Sequence, residues 1–423
     1  MKEFSGDFAL SLVKSIAYER MGGTPEELKA ANTIATALKK AGLSPKLESF
    51  KITRFRKGKA TLQVTSPVKK TYEALPVGMT KSTHPQGITA DFIYKDTATK
   101  SALFDVKGKI VMLGGILNKD QYENLIKSKS AGFIRVCEPL RKSYFKIPDT
   151  YVRKTGNIPG ISISFEHALE LIKQKPKKVK IVSKQIIEKV TSHNVVTKIT
   201  GTKYPKEKIV IVAHYDSVPL SVGVHDNAAG SAVIAEIARI FKAEPPARTV
   251  IFCWCGSEEL GLLGSFAYAE KHKNSLKDVQ MVFNADVGGA IIGTEGVIIT
   301  GTEELKTYVE LAAKEYGMQL NVIHDIISSD SVPFAEKGIP SINLFRSGGA
   351  SFYIHSDGDS EEYIGADALA TTGRFGLFLL RRLANAVDFP VKREIPETIE
   401  KKLENYLKQR LGRDYTPVKT RRK

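Results

Sequence analysis

Residues 209–261 read IVIVAHYDSVPLSVGVHDNAAGSAVIAEIARIFKAEPPARTVIFCWCGSEELG. Two runs rich in β-branched and aromatic residues, 209–213 and 249–255, each stop in a burst of His, Asp or Glu. Both are too short to cross a bilayer, and an amphipathic helical pattern closed by a Pro-rich turn separates them. This order belongs to an open α/β sheet, in which ligands collect beyond the carboxyl ends of the strands. His214 with Asp216, Asp226, and Glu258 with Glu259 are therefore expected to converge on one crevice.

The same arrangement recurs further along. The apolar run at 279–285 ends at Asp286, ahead of Gly288 and Gly289, and the run at 351–355 delivers His355 just before SDGDS. Taken singly these signals are weak: a His-x-Asp pair arises by chance, paired glutamates usually start a solvated helix, and a lone His is more often satisfied in a core. Four apolar runs ending alike outweigh that bland reading. Imidazole nitrogen and carboxylate oxygen are what zinc accepts, and catalytic sites keep a position open for water. Five protein ligands can serve two ions only if one carboxylate is shared. Asp226 is the natural bridge, because Gly223 and Gly230 permit tight turning around it and the following helix amino terminus favours an anion. Asp216 stands two residues after His214, placed to accept that imidazole's other N–H. Glu259 then coordinates and Glu258 remains free as a base, the division of labour a metal-assisted hydrolase needs.

Composition limits the alternatives. A chain of 423 residues is long for one core, so a main domain with an insertion is expected. The formal charge is 63 − 46 = +17, concentrated at 173–184 and at 401–423, where nine basic side chains face Glu404 and Asp414. Neither run interleaves aromatics as a single-strand-binding groove does, so a solvated basic face is preferred and no nucleic-acid partner is expected. Cys137, Cys253 and Cys255 offer no disulfide framework, which points to a reducing compartment. Cys253 and Cys255, two apart on a strand, read as small core residues. The amino terminus lacks the continuous apolar region of a signal peptide and no run reaches membrane-spanning length, so a cytoplasmic location with no membrane partner is expected.

Residues 1–42 read as two helices broken at GGTPEE, the second over Pro25–Lys40 with Leu28, Ala31, Ile34, Ala35 and Leu38 at helical spacing and Gly42 as its stop. They are scaffold in this reading. Residues 54–190 alternate short apolar runs with Gly, Pro and Lys and hold no acidic or His cluster; His84 and His167 read as surface residues. They form a β-rich module inserted between 1–53 and 191–395, with strands at 107–115, 132–137 and 158–163 and helices at 122–131 and 165–173. A strand at 194–200 precedes the hinge GTKYPKEK. Residues 396–423 read as a basic tail, helical over 396–409 and disordered beyond.

With these motifs in hand, the chain resembles the M28 family of di-zinc metallopeptidases, the aminopeptidases and related carboxypeptidases. AHYDSV, GVHDNAAG, GSEELGLLGS, NADVGG, SDSVPFAEKGIPSINL and the late His355 carry the resemblance, and RMGGTPEELKAANTIATALKKAGL resembles that family's amino-terminal helices. More loosely, KGKIVMLGG and IPGISIS resemble the protease-associated (PA) domain that many members carry. The resemblance implies an α/β fold of zinc exopeptidase type, a mostly parallel or mixed sheet sandwiched between helices, with a PA-like insertion. It implies one zinc on His214 and Asp286, another on Glu259 and His355, and Asp226 bridging, with cobalt or manganese able to substitute. Glu258 becomes general base and then proton donor, Asp216 the orienting residue, and Asp226–Asn227 a cis peptide. The sequence departs from the family pattern at His225, at Ser331 where His is frequent, and at Ile354; Tyr353, one position earlier, is the candidate phenol for the oxyanion. The implied activity is peptide hydrolysis by a metal-bridging hydroxide, releasing amino-terminal residues. Peptides are then the partners, and a homo-oligomer is compatible with this reading. Three relatives compete: a carboxypeptidase, which needs a cationic pocket such as Arg346 would offer, a one-zinc glutaminyl cyclase, and a receptor-like module that has lost its ions.

Overall fold

The computed structural model describes residues 2–115 and 117–415. They form two compact units, one of residues 2–52, 191–404 and 415, the other of residues 53–190 and 405–414. The first unit opens with α1 (Gly6–Ile16) and α2 (Pro25–Lys40), after which β1 (Lys46–Ser66) begins. Both ends of α2 follow from its sequence. Thr24 accepts a hydrogen bond from the Glu27 N–H, Pro25 occupies the first turn, and Gly42 closes the helix at φ 79°.

The second unit contains β2 (Lys70–Pro76), β3 (Ile88–Lys95), β4 (Ile110–Leu113), α3 (Lys119–Lys127), β5 (Gly132–Val136), α4 (Asp149–Thr155), β6 (Gly160–Ile163), α5 (Phe165–Gln174) and the first part of β7 (Lys178–Ile199). Its strand order is β1-β2-β6-β5-β4-β3-β7, parallel from β3 through β6. Ile110, Met112, Ile134 and Ile161 cluster with Ala168 and Leu171 of α5, whereas Val111, Leu113 and Phe133 cluster with residues of α3 and α4. The expected β-rich module is thus a three-layered α/β unit, since parallel neighbours require crossover connections, and those from β4 to β5 and from β5 to β6 carry α3 and α4. Helix α4 escaped the sequence reading because DTYVRKT buries only Tyr151.

The chain resumes the first unit with β8 (Tyr204–His214), α6 (Ala229–Ala243), β9 (Arg248–Cys255), α7 (Leu263–Lys271), β10 (Val279–Ala285), β11 (Thr294–Thr300), α8 (Glu303–Tyr316), β12 (Asn321–His324), α9 (Val332–Ala335), β13 (Ser341–Ser347), α10 (Ala366–Asn385) and the first part of α11 (Glu397–Leu411), as far as Glu404. The strand order here is β7-β9-β8-β10-β13-β11-β12, with β9, β8, β10 and β13 mutually parallel. Strands buried on both faces read as continuous apolar runs, which is why 209–213 shows no alternation. Ile209, Ile211 and Ala213 join the core formed with α1, α2, α6 and α10, while Val210 and Val212 join Tyr268, Ala269 and Phe334 on the opposite face. Cys253 and Cys255 are core residues of that second face, and all three cysteines are free thiols.

Three local expectations are corrected. The segment read as a hinge, GTKYPKEK, already belongs to β8 from Tyr204, because Lys203 and Tyr204 donate to the Ala247 carbonyl while their neighbours' polar side chains stay solvated. The run ending at His355 is not a strand. Gly349–Tyr353 forms a short 3-10 helix, in which Phe352 and Tyr353 spend their rings on each other and on Tyr363. Residues 397–411 are more than a solvated tail, since Ile399, Leu403 and Leu407 make a buried stripe at helical spacing. The disorder expected beyond 409 falls largely on residues 416–423, outside the described residues. Among the described residues no helix is long and apolar enough to cross a membrane.

Candidate metal centre

The parallel strands β9, β8 and β10 end side by side, and the order in which the chain visits them reverses at β8. A crevice opens at such a point because successive loops leave in opposite directions. His214 is the last residue of β8, Glu258 and Glu259 follow β9, Asp286 follows β10, and Asp226 stands in the loop before α6. His214 Nε2 lies 2.9 Å from Asp226 Oδ1 and 3.3 Å from Asp286 Oδ1. His355 Nε2 lies 2.9 Å from Asp226 Oδ2 and 3.3 Å from Glu259 Oε1. Two triads of one imidazole and two carboxylates therefore share Asp226, which turns one oxygen to each. Within each triad the donor atoms lie within 4.8 Å of one another; His214, Glu258 and Glu259 form a third grouping of the same compactness.

Local backbone geometry delivers these side chains. Ser257, Val287 and His355 all hold positive φ, at 56°, 64° and 60°. Each either carries or adjoins a cluster residue, and a β-branched residue such as Val287 adopts this region only when its surroundings compel it. The compulsion is visible. The Asp286 N–H donates to the Leu344 carbonyl, and the Val287 carbonyl accepts from the Arg346 N–H, so β13 clamps that turn. The Asp226–Asn227 peptide is cis. Asp359 accepts from the His225 and Asp226 N–H groups at 3.0 and 3.3 Å, fixing the loop from outside.

Asp216 does more than its sequence position suggested. Its carboxylate lies 3.5 Å from His214 Nδ1, a long contact, while accepting the Glu258 and Glu259 N–H groups at 2.9 and 3.2 Å. It fixes the paired glutamates as well as facing the histidine.

The cluster is crowded with negative charge. Burial pushes the Glu258 carboxyl well up; His214 opposes this, and Glu259, Asp330 and Asp286 add to it. Burial raises Asp286 likewise, against the pull of His214. Asp226 is the exception, held below the usual carboxylate range because His355 and His214 together outweigh its burial. Among the described residues no lysine or arginine forms an ion pair with Asp226, Glu258, Glu259 or Asp286. Buried carboxylates with only imidazoles for company, one of them Glu259 with an oxygen lacking any hydrogen bond, are a donor set that divalent cations complete.

Several residues singled out in the sequence lie elsewhere. His225 is buried with Nδ1 2.8 Å from the Gly288 carbonyl and joins neither triad. Ser331 is buried, its hydroxyl 2.8 Å from that of Ser329. Tyr353 stacks on Tyr363 at 5.8 Å, and its hydroxyl makes no hydrogen bond to the cluster among the described residues. Arg346 is already spent on Glu295 and on the carbonyls of Ala290 and Ile291.

Sequence reasoning also missed four supporting groups. Buried Arg20 donates to the carbonyls of Tyr18, Tyr215, Val222 and Gly223, tying the segment between His214 and Asp226 to the first helices. Glu27 accepts from Gly23, Ser192 and Ser257 and so steadies the turn before Glu258. Asp359 was read only as part of an acidic turn. Asp330 is fully buried with no hydrogen bond to either oxygen, and burial lifts its pKa to about 7. A signal for Glu27 existed in T-P-E-E, which reads as a helix capping box; one carboxylate oxygen takes the Gly23 N–H beside the cap, while the other reaches the distant Ser192 and Ser257 hydroxyls.

Residues 194–379 match the family model described as peptidase family M28. Aminopeptidase YwaD of Bacillus subtilis (strain 168) is 30% identical over 404 residues, covering 91% of this chain and 84% of that protein. Carboxypeptidase Q of Xenopus laevis is 25% identical over 342 residues, covering 74% of this chain and 71% of that one. Among solved structures, BSAP, a zinc aminopeptidase from Bacillus subtilis, superposes with a TM-score of 0.76 at 26% identity, over 94% of this chain and 99% of that chain. Motifs, fold and relatives agree: the chain belongs to peptidase family M28.

Proposed function

We propose that this enzyme is a zinc aminopeptidase with a two-ion centre, His214 and Asp286 holding one ion, Glu259 and His355 the other, and Asp226 shared between them. The observation that carries this reading is the geometry of Asp226, whose two oxygens stand 2.9 Å from His214 and 2.9 Å from His355 respectively. Bound zinc would supply Lewis acidity toward a peptide carbonyl and acidify water. Glu258, outside both triads that share Asp226, accepts a proton from the attacking water and returns it to the departing amine. Asp216 positions that base through its backbone N–H and faces His214 from behind. Tyr353, whose ring stacks on Tyr363, is the candidate donor to the oxyanion.

Three observations favour the amino-terminal direction. The surplus of carboxylates suits a substrate ammonium, and Arg346, the candidate for capturing a terminal carboxylate, has its donors engaged. The better-matched relative is an aminopeptidase. The DNAAG context and the inserted unit favour the peptidase over a one-zinc glutaminyl cyclase, and intact donors speak against a receptor-like module. The second unit is read as a PA-like domain. The test is a panel of free and end-blocked peptides, assayed with and without chelator alongside zinc analysis. Two zinc ions per chain, chelator-sensitive release of residues from free amino termini, and inertness of amino-blocked peptides are expected. Release from the carboxyl end of blocked peptides would refute the direction, and a single ion would refute the shared carboxylate.

A further inference from the structure

The second unit carries a crevice of its own, about 480 Å³ in volume, within the range of small-ligand sites. It lies where β3, β4 and β5 end, beyond the carboxyl ends of parallel strands whose helices cluster with opposite faces, the geometry at which ligands gather in open sheets. One wall is the outward stripe of α5. Phe165, Leu169 and Ile172, at helical spacing, are 40%, 45% and 37% exposed, and Met112 lies buried beneath them. Arg135 enters from the end of β5. Its guanidinium rests over the Phe145 ring at 4.2 Å and makes no hydrogen bond or ion pair among the described residues. Burial lowers its pKa, against the pull of Glu138 on the same loop.

A desolvated guanidinium with unspent donors, set beside an apolar wall, is complementary to a carboxylate that carries an apolar side chain. Arginine's planar fork binds carboxylate through two parallel hydrogen bonds, and the α5 stripe offers surface for one aliphatic or aromatic group. We propose that this crevice binds an apolar α-amino acid carboxylate, the chemistry shared by a free apolar amino acid and the carboxyl-terminal residue of a peptide. The inference stands on the second unit alone and does not depend on the peptidase reading. In the free amino acid, Glu138 would take the α-ammonium.

The test uses the full chain with ¹³C-methyl-labelled methionine, the Met112 resonance being assigned with Met112→Leu. Titration with leucine, N-acetylleucine and leucinamide is followed at that methyl, which reports the crevice independently of any binding at the metal centre. Saturable shifts with a Kd on the order of 1 mM or tighter are expected for ligands that keep the carboxylate. Binding by both leucine and N-acetylleucine assigns the peptide terminus as a sufficient ligand; binding by leucine alone assigns the free amino acid. Arg135→Met should weaken binding about ten-fold or more, the loss of charge-assisted hydrogen bonds. Leu169→Glu, at an exposed position that leaves folding intact, should do the same by placing an anion beside the carboxylate. No shift with any ligand, equal shifts with leucinamide, or unchanged affinity in both variants would overturn the proposal.

Discussion

Glu258→Gln separates the proposed base from the proposed ligands. Glutamine matches glutamate in shape, and the hydrogen bond from the residue 258 N–H to Asp216, 2.9 Å long, involves only backbone on that side, so the turn is kept. Burial disfavours the ionised form of the Glu258 carboxyl, so in metal-free protein a neutral amide of the same shape should not lower thermal stability. The two triads sharing Asp226 do not include residue 258, so zinc content should stay at wild-type level. A positioned general base contributes about 10²- to 10⁴-fold in rate, equivalent to about 3–5 kcal/mol at the transition state. The assay is release of the amino-terminal residue from an unblocked peptide by zinc-loaded protein, with metal measured on the same sample. A drop of that size with full metal is expected. The third grouping, His214, Glu258 and Glu259, provides the counter-hypothesis that Glu258 is itself a ligand. Lost zinc in the variant, or a rate within about ten-fold of wild type, would refute the assignment.

Three further outcomes follow from the same geometry. His355→Ala removes an imidazole that faces the buried carboxylates of Asp226 and Glu259, so one of two zinc ions should be lost; retention of both ions would exclude His355 as a ligand. A Cβ at Gly230 would stand 2.2 Å from the Ala285 carbonyl oxygen and 2.4 Å from Asn227 Oδ1, so Gly230→Ala should cost at least about 1–3 kcal/mol in urea unfolding and depress activity, and an unchanged midpoint would contradict the packing. Burial, reinforced by Asp216, raises the Glu27 pKa to about 8. Between its unfolded value of about 4.5 and that point, the native state holds a proton that the unfolded chain releases, so this group subtracts stability as pH rises. In chelator-treated protein, Glu27→Gln should therefore gain melting temperature relative to wild type from about pH 5 to 8, and a pH-independent difference would show that Glu27 is not the group responsible.

Much of this molecule was legible in its sequence because the relevant physics is local. An apolar run ending in His or Asp marks a buried parallel strand emerging at a ligand-bearing edge, so His214 and Asp286 could be named before any packing was known. The Thr24, Pro25 and Gly42 signals set both ends of α2, since caps depend on neighbours a few residues away. The chemistry of imidazole and carboxylate pointed to divalent metal, and counting donors pointed to a shared acid. Tertiary structure alone decided which acids meet which imidazoles, with Asp226 turned toward both His214 and His355 and Glu258 left outside that pairing. It likewise decided that Asp216 grips the backbone of Glu258 and Glu259, that Arg346 is unavailable, and that Arg20 and Glu27 from the supposed scaffold brace the site. These contacts join residues far apart in the chain, and their partners are mostly backbone carbonyls and N–H groups. Every residue carries such groups, so they leave no signature in the sequence until the strands have brought them together.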